Sequence, residues 1–465
     1  MFIGTTIVNW LTLHGLVAVL AILVYVVTTH TMRQRRQPAA AIAWILFILL
    51  LPYLALPAYL SFGSRKLARP RSGAPIAPFT PHETVSWAVE TIAALGQPAP
   101  VSYRDLRLHE NGTEAKRALL ELVGAARQTV DLCTFILGRD QLGATVLDAL
   151  CAAARRGVRV RVLVDGLGYL MAGRPKLKRL GEAGASYALF VPPLSSPLKG
   201  RTNLRNHRKL LIADAGSESG RLWCGGRNLA AQYFDGCAHT RAWRDLSFDL
   251  RGPLVRQARI LFEHDWNFAS GRPESPEAVA ATDSPRAADG AQVIASGPDQ
   301  LDDTIYAVLV TAAYQARSRI ALVTPYFVPD AGLLVALCLA ARRGVSVDLL
   351  LPERSNHRLS DFARNRALRA LAFAGGRVWL APRMVHAKLA VIDDALALAG
   401  SANLDNRSFF LNYELMVAFH RAADVRRFAG WFAAECRDAS TYAPRSPSLL
   451  RDVAEGTLLW LGFQL

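Results

Sequence analysis

Two long apolar stretches open the chain, and behind them the pattern changes to short helix-like and strand-like segments. Residues 1–31 contain no Asp, Glu, Lys or Arg, and Ile7 to Val27 is long enough to cross a bilayer. Arg33, Arg35 and Arg36 follow. A second uncharged stretch runs from Pro38 to Ser64 and is closed by Arg65, Lys66, Arg69 and Arg71. Two apolar segments joined by a short basic turn predict a helical hairpin in a membrane, with Trp10, Trp44, Tyr53 and Tyr59 as interfacial anchors. Pro52 and Pro57 bend the second segment and give it a partly re-entrant path. A cleaved signal peptide fits poorly, because the first segment has neither a charged leading region nor a small-x-small cleavage site. A hairpin returns the chain to the side from which it started. With basic residues on both flanks, the positive-inside rule leaves that side undecided.

Further along, the pattern repeats itself. Ala149 to Val164 reads ALCAAARRGVRVRVLV and Ala336 to Leu351 reads ALCLAARRGVSVDLLL, with 11 of 16 positions identical. Each copy is the end of an amphipathic helix, a glycine turn and a buried strand. A helix-like run precedes each, near residues 118 and 306. Helix, strand, helix, strand in both halves predicts the α/β class, with two domains of related fold. Segment 269–290 is rich in Pro, Ala, Ser and Asp, lacks an apolar period and reads as the linker between them. A shorter linker lies near 63–82. The expected units are 1–72 for the hairpin and basic linker, 73–285 for the first domain and 286–465 for the second.

A second repeat carries the candidate chemistry. NHRKLLIAD supplies His207, Lys209 and Asp214, followed by Gly225, Gly226 and Asn228. VHAKLAVIDD supplies His386, Lys388 and Asp393, followed by Gly400, Ser401 and Asn403. Alternate residues of a strand share a face, so a His and a Lys two apart point the same way. A turn and a return strand bring the glycine-rich segment back beside them. Lys offers charge to a phosphate oxygen, Asn and Ser401 offer donors, and glycine permits close backbone approach. A lone histidine before an apolar strand is ordinarily a surface or capping residue. Two in register, each with the same Lys, Asp and Asn, point to one duplicated catalytic motif. Each imidazole needs a partner to fix its tautomer. Glu414 fits that role, and Asp245 is its equivalent in the first half, since both open a strand-like segment. Asp214 and Asp393 belong to the candidate catalytic motif, but they stand at the far end of the strand and are expected to shape its turn.

Composition bounds the partners. The chain has 54 basic and 38 acidic side chains, a formal net charge of +16, which suits an anionic membrane or nucleic acid. Only seven of the cations are Lys, at 66, 116, 176, 178, 199, 209 and 388, so two of them in matching motifs carry weight. Cys133, Cys151, Cys224, Cys237, Cys338 and Cys436 are scattered, with no CxxC pair, which argues against a zinc site and for buried reduced thiols. Reduced thiols favour the cytoplasmic face.

The paired HxKxxxxD motifs resemble those of the phospholipase D superfamily, over nearly the whole chain. GSANLDNRSFFLNYE (400–414), TPYFVPD (324–330), VDGLG (164–168) and the stretch 35–63 resemble its bacterial cardiolipin synthase branch. The resemblance implies two similar α/β/α sandwich domains about a pseudo-twofold axis, preceded by the transmembrane hairpin. It implies that His207 and His386 meet at one phosphate. His207 would be the nucleophile that forms a phosphohistidine, and His386 the acid and base. Lys209, Lys388, Asn228, Asn403 and Ser401 would hold the phosphate oxygens, with no metal or other cofactor. The implied reaction converts two phosphatidylglycerol molecules into cardiolipin and glycerol at a bacterial inner membrane, with the catalytic domains on the cytoplasmic face. A phospholipase D-type hydrolase or a phosphatidylserine synthase would carry the same motifs. A nuclease of the superfamily would suit the basic surface, but it needs no lipid anchor, so nucleic acid is not expected as a partner. Two departures from symmetry stand out: a longer turn between Asp214 and Gly225, and Gly226 where the second copy has Ser401.

Overall fold

The computed structural model describes residues 2–31, 38–63, 86–192, 202–237, 241–272, 289–300 and 302–461. The basic clusters at Arg33–Arg36 and Arg65–Arg71, most of the 63–82 linker and most of segment 269–290 lie outside the described residues.

The N-terminal region is three helices: α1 (Phe2–Thr31), α2 (Pro38–Leu50) and α3 (Pro52–Phe62). Within α1, Trp10–His30 is the one helical stretch among the described residues long and apolar enough to cross a membrane. Its 21 residues span about 31 Å at 1.5 Å each, close to the thickness of a hydrocarbon core. The second span differs from the expected hairpin arm. Pro52 has no N–H to continue the ladder, and the helix breaks at Leu51 (φ −139°, ψ 60°) into pieces of 13 and 11 residues. Each piece is too short to cross alone. The pair packs back on α1 around Ala21, Tyr25, Ile48, Ala55 and Tyr59. The Tyr59 hydroxyl lies 2.8 Å from Thr28 Oγ1, and His14 Nε2 lies 3.0 Å from the Leu49 carbonyl oxygen, beside the break. The Leu49 carbonyl belongs to the last turn of α2, so the imidazole satisfies an acceptor that the broken ladder leaves without a partner.

The remainder holds two copies of one unit. The first runs α4 (Trp87–Ala94), β1 (Arg104–His109), α5 (Gly112–Ala125), β2 (Thr129–Thr134), α6 (Gln141–Arg155), β3 (Arg159–Asp165), α7 (Gly166–Met171), α8 (Lys178–Glu182), β4 (Ser186–Phe190), β5 (Arg205–Asn206), β6 (Leu210–Ala213), β7 (Arg221–Gly225), β8 (Ser247–Arg251) and α9 (Leu254–Ser270). The second runs β9 (Ala291–Ser296), α10 (Thr304–Gln315), β10 (Arg319–Val323), β11 (Phe327–Val328), α11 (Ala331–Arg342), β12 (Ser346–Pro352), α12 (Arg358–Phe373), β13 (Arg377–Ala381), β14 (Leu389–Ile392), β15 (Leu396–Gly400), β16 (Leu404–Asp405), α13 (Asn406–Phe410), β17 (Asn412–Phe419), α14 (Ala422–Cys436), β18 (Ser440–Thr441) and α15 (Leu449–Leu461).

The sheet orders match strand for strand. One is β1-β8-β7-β6-β2-β3-β4 and the other β9-β17-β15-β14-β10-β12-β13, with β18 added at its edge. In both, three parallel strands adjoin an antiparallel set. The near-continuous apolar runs VRVLV and VDLLL form β3 and β12 because both faces of each sheet are covered. Helices α5, α6 and α8 cover the outer face of the first sheet, and α10, α11 and α12 that of the second. Between the sheets lies one shared core, where Phe248, Phe262 and Trp266 from the first copy pack with Phe419, Phe428 and Trp431 from the second. The copies are therefore one packed body. Helix α4, early in the first copy, sits on the second: its Ala88 and Ile92 join the Ile305 and Val308 core.

Candidate active site

The site forms where the chain just ahead of each histidine pairs with the opposite copy. Strand β5, just ahead of His207, pairs in parallel with β17, placing Arg205 opposite Asn412 and Asn206 opposite Tyr413. The His207 N–H then donates to the Tyr413 carbonyl at 2.9 Å. The mirror arrangement occurs ahead of His386. Arg244 and Val385 form a parallel bridge, and the Arg244 N–H donates to the Met384 carbonyl while the His386 N–H donates to that of Arg244.

This exchange decides which carboxylate meets which ring. His207 Nδ1 lies 2.9 Å from Glu414 of the second copy, and His386 Nδ1 lies 2.8 Å from Asp245 of the first. Both carboxylates are fully buried. Sequence reasoning singled out both acids and placed Asp245 as the equivalent of Glu414 in its own half; the structure gives each ring its partner from the opposite half. Glu414 also accepts from Ser401 Oγ at 2.5 Å and from Asn412 Nδ2 at 3.3 Å. Ser401 thus faces a carboxylate here. Its counterpart Gly226 is required for a different reason. A Cβ there would stand 2.3 Å from Asp245 Oδ1, so the shorter acid of the first half occupies the space that the serine uses in the second.

With Nδ1 committed to a carboxylate, Nε2 is the ring nitrogen that faces chemistry, and that of His386 lies 3.0 Å from Lys388 Nζ. Aromatic side chains hold the rings in place. Phe135 stands edge-on to His207 at 5.2 Å, Tyr233 edge-on to His386 at 4.9 Å, and Trp243 leans over His386 at 5.7 Å. The sequence reading missed these three. Aligned on the motifs, Tyr233 stands opposite Ser408 and Trp243 opposite Asn412, so neither aromatic is repeated in the second copy and repetition carried no signal for them.

Lys209 and Lys388 are buried beside their histidines. Lys209 Nζ donates to the His207 carbonyl at 2.5 Å, and Lys388 Nζ lies 2.8 and 3.0 Å from the ring nitrogens of His386. The half-sites are electrostatically one. Lys388 disfavours charge on His207, Lys209 disfavours charge on His386, and each lysine feels both Glu414 and Asp245. Burial pushes His207 down to about 4 despite Glu414, and His386 to about 3 despite Asp245. Burial also lowers Lys209 to about 8 and Lys388 to about 7. Burial would raise Glu414 and Asp245, but the facing histidines and lysines outweigh it and hold both acids below the usual carboxylate range. At neutral pH the resting site therefore holds two neutral imidazoles between two carboxylates.

Asn228 and Asn403 sit at the ends of the return strands, both buried. The Asn228 side-chain oxygen accepts from the Ile136 N–H at 3.4 Å, and among the described residues the Asn403 side-chain oxygen has no partner. Asp214 and Asp393 stay away from the histidines. Each turns the chain at φ near +50°, and each carboxylate accepts three backbone N–H groups at the start of a central strand. For Asp214 these are Arg127, Gln128 and Thr129; for Asp393 they are Arg317, Ser318 and Arg319. They tie the far end of the motif strand to the strand beside it, and they touch no reacting group. The cysteines are more varied than expected: Cys133, Cys151 and Cys224 are buried, Cys338 and Cys436 half-buried and Cys237 exposed. Among the described residues no cluster of His, Cys, Asp and Glu could hold a metal ion.

A family model described as cardiolipin synthase, PLD-like domain matches twice, over residues 119–266 and 309–436. Cardiolipin synthase A of Escherichia coli O1:K1 and that of Escherichia coli K12/DH10B are each 30% identical over 442 residues, 89% of this chain and 89% of theirs. The chain belongs to the cardiolipin synthase family of phospholipase D-like proteins. The two matched stretches of this cardiolipin synthase family member are the two copies of the fold, and a model described as phospholipase D-nuclease N-terminal matches residues 17–64, the apolar region ahead of them. Among solved structures, the phosphatidylserine synthase of Haemophilus influenzae Rd KW20 superposes with a TM-score of 0.59 over 81% of this chain and 98% of its own, at 12% identity. That likeness shows the shared fold.

Proposed function

We propose that the protein is a membrane-bound phosphatidyltransferase that joins two phosphatidylglycerol molecules into cardiolipin and releases glycerol. The observation that supports this reading is the reciprocal pairing of His207 with Glu414 and His386 with Asp245, which ties each imidazole to a carboxylate of the opposite half. His207 Nε2 attacks the phosphorus of one phosphatidylglycerol, forming a P–N bond while the P–O bond to glycerol breaks. His386 protonates the departing oxygen. A phosphodiester anion beside it favours the imidazolium, raising the ring from its low resting value. A hydroxyl of the second phosphatidylglycerol then gives its proton to His386 and attacks phosphorus, and the P–N bond breaks. Two lipids in give cardiolipin and glycerol out. Lys209, Lys388, Asn228 and Asn403 offset the charge on the non-reacting oxygens. Ser401 contributes through Glu414, by fixing the carboxylate that orients His207.

The phospholipid substrate agrees with the membrane anchor and the +16 charge. In this reading α1 crosses the inner membrane, the broken α2–α3 pair re-enters, and the two catalytic units, 73–285 and 286–465, lie at the cytoplasmic surface. No nucleic acid partner is invoked.

The test is to incubate the purified full chain with labelled phosphatidylglycerol. Cardiolipin with free glycerol is expected, and His207→Ala and His386→Ala should each abolish it. Phosphatidic acid as the sole product would replace this reading with a hydrolase. Transfer to added serine, without cardiolipin, would replace it with a phosphatidylserine synthase.

A further inference from the structure

Beside the first motif, two arginines from opposite halves grip the same short loop. Arg205 donates to the carbonyls of Val191 and Leu204, at 3.3 and 2.7 Å, and to that of Thr202. Arg407, on α13, donates to the Asn203 side-chain oxygen at 3.2 Å and to the Asn203 carbonyl at 3.3 Å. Two cations are thus held against three successive residues, Thr202 to Leu204. Among the described residues neither guanidinium meets a carboxylate in a salt bridge. Acids act on them only from a distance: Asp165 hydrogen-bonds the N–H groups of Leu167, Gly168 and Asn206, and Asp405 that of Ser408.

Three donors in this cluster are buried and, among the described residues, have no partner: Arg205 Nε, Asn203 Nδ2 and Thr202 Oγ1. Arg205 and Asn203 are each 6% exposed, so their unmet donors carry a full desolvation cost unless something fills them. Arg407 is only half-buried, so part of the pair is reached by solvent. Burial lowers both guanidinium pKa values; Asp165 opposes the shift at Arg205, while at Arg407 the neighbouring Arg205 adds to it against Asp405, Asp165 and Glu414.

The pair also breaks the pseudo-symmetry of the site. Aligned on the two motifs, Met384 stands where Arg205 does, and Gln232 where Arg407 does. The reacting phosphorus is served by groups present in both halves. A cationic cluster present on one side only answers a need that the duplicated chemistry does not create.

We infer that Arg205, Arg407, Asn203 and Thr202 form a second phosphate subsite, which binds the non-reacting phosphodiester of the acceptor lipid while its headgroup hydroxyl attacks the enzyme-bound phosphatidyl group. The inference rests on the phosphatidyltransferase reading above, in which only the acceptor brings a second phosphate. Fork-shaped, permanently charged guanidiniums suit a phosphodiester anion. A neutral acceptor such as free glycerol has nothing to place there.

The two acceptors give the test. Full-length protein in mixed micelles is assayed for cardiolipin formation from phosphatidylglycerol, and for exchange of labelled glycerol into phosphatidylglycerol, which uses the same donor step with a neutral acceptor. Arg407→Gln should cut cardiolipin formation more than tenfold, chiefly through a higher KM for the acceptor, and keep glycerol exchange within about threefold of the original protein. Arg407→Lys should restore part of the loss. Arg205→Lys, which keeps the charge and some carbonyl contacts, should show the same split more weakly. Parallel loss of both activities in Arg407→Gln, in protein that stays folded by circular dichroism, would make the arginine merely structural and overturn the inference. Unchanged cardiolipin formation would overturn it as well. Failure of the original protein to make cardiolipin would instead sink the functional reading itself, before any variant is examined.

Discussion

Replacing Glu414 with Gln tests whether one half of the chain controls the histidine of the other. The carboxylate accepts from His207 Nδ1 at 2.9 Å and Ser401 Oγ at 2.5 Å, and it is fully buried. Gln is nearly isosteric, so the core stays filled, but its amide is neutral and can present N–H toward the ring. A hydrogen bond to a charged partner is worth about 1.5–3 kcal/mol. At about 1.4 kcal/mol per factor of ten, its loss predicts a fall in kcat of roughly ten- to a hundredfold. The electrostatics add a second readout. Glu414 supports the charge of Lys209, whose pKa burial lowers to about 8. Without the carboxylate that value falls further, so the alkaline limb of the pH–rate profile should shift to lower pH. The assay is labelled phosphatidylglycerol to cardiolipin across pH, with circular dichroism to verify the fold. Activity within threefold of the original protein and an unmoved alkaline limb would refute the orienting role.

Other expectations follow from the same geometry. Activity of the unmodified protein should decline as pH rises through about 7 to 8, because Lys388 and Lys209 lose the charge that meets the phosphate; kcat/KM flat to pH 9 would contradict this. Both lysine values lie below those of the unfolded chain, so the native state binds fewer protons between them and about 10.4, and the lysines' contribution to stability should grow with pH across that window, as denaturant titrations would register. Gly226→Ser, which copies the second half into the first, should reduce activity at least tenfold by pushing Asp245 off His386, and an active variant would show that the acid has room to move. Asp214→Ala strands three backbone N–H groups and should cost about 1–3 kcal/mol in denaturant unfolding, while protein that remains folded keeps its activity.

The motif strands and the α/β duplication were readable because periodicity and repetition are local properties: His207 and His386 stand ahead of buried strands, and β3 and β12 sit where matching apolar runs placed them. The crossing of Glu414 to His207 was not readable. Asp245 and Glu414 occupy equivalent places in their own halves, and only the pairing of β5 with β17 and of Arg244 with Val385 decides which ring each one meets. The same holds for α4, which stands early in the first copy but packs on the second. In the anchor, Pro52 and Pro57 signalled a bend, yet hydropathy alone could not separate a bent span from two short helices, because both are uniformly apolar. The unpartnered donors around Arg205 belong to a loop without apolar period, where sequence gives no register at all.

The most direct measurement is a crystal structure with tungstate or vanadate bound as a mimic of the phosphoryl group. The account predicts a single anion between the halves, bonded to Nε2 of one histidine, with Nε2 of the other within hydrogen-bond distance of the opposite oxygen and both lysines on its flanks. Two separate anions, or one that touches a single imidazole and leaves the other facing away, would contradict it.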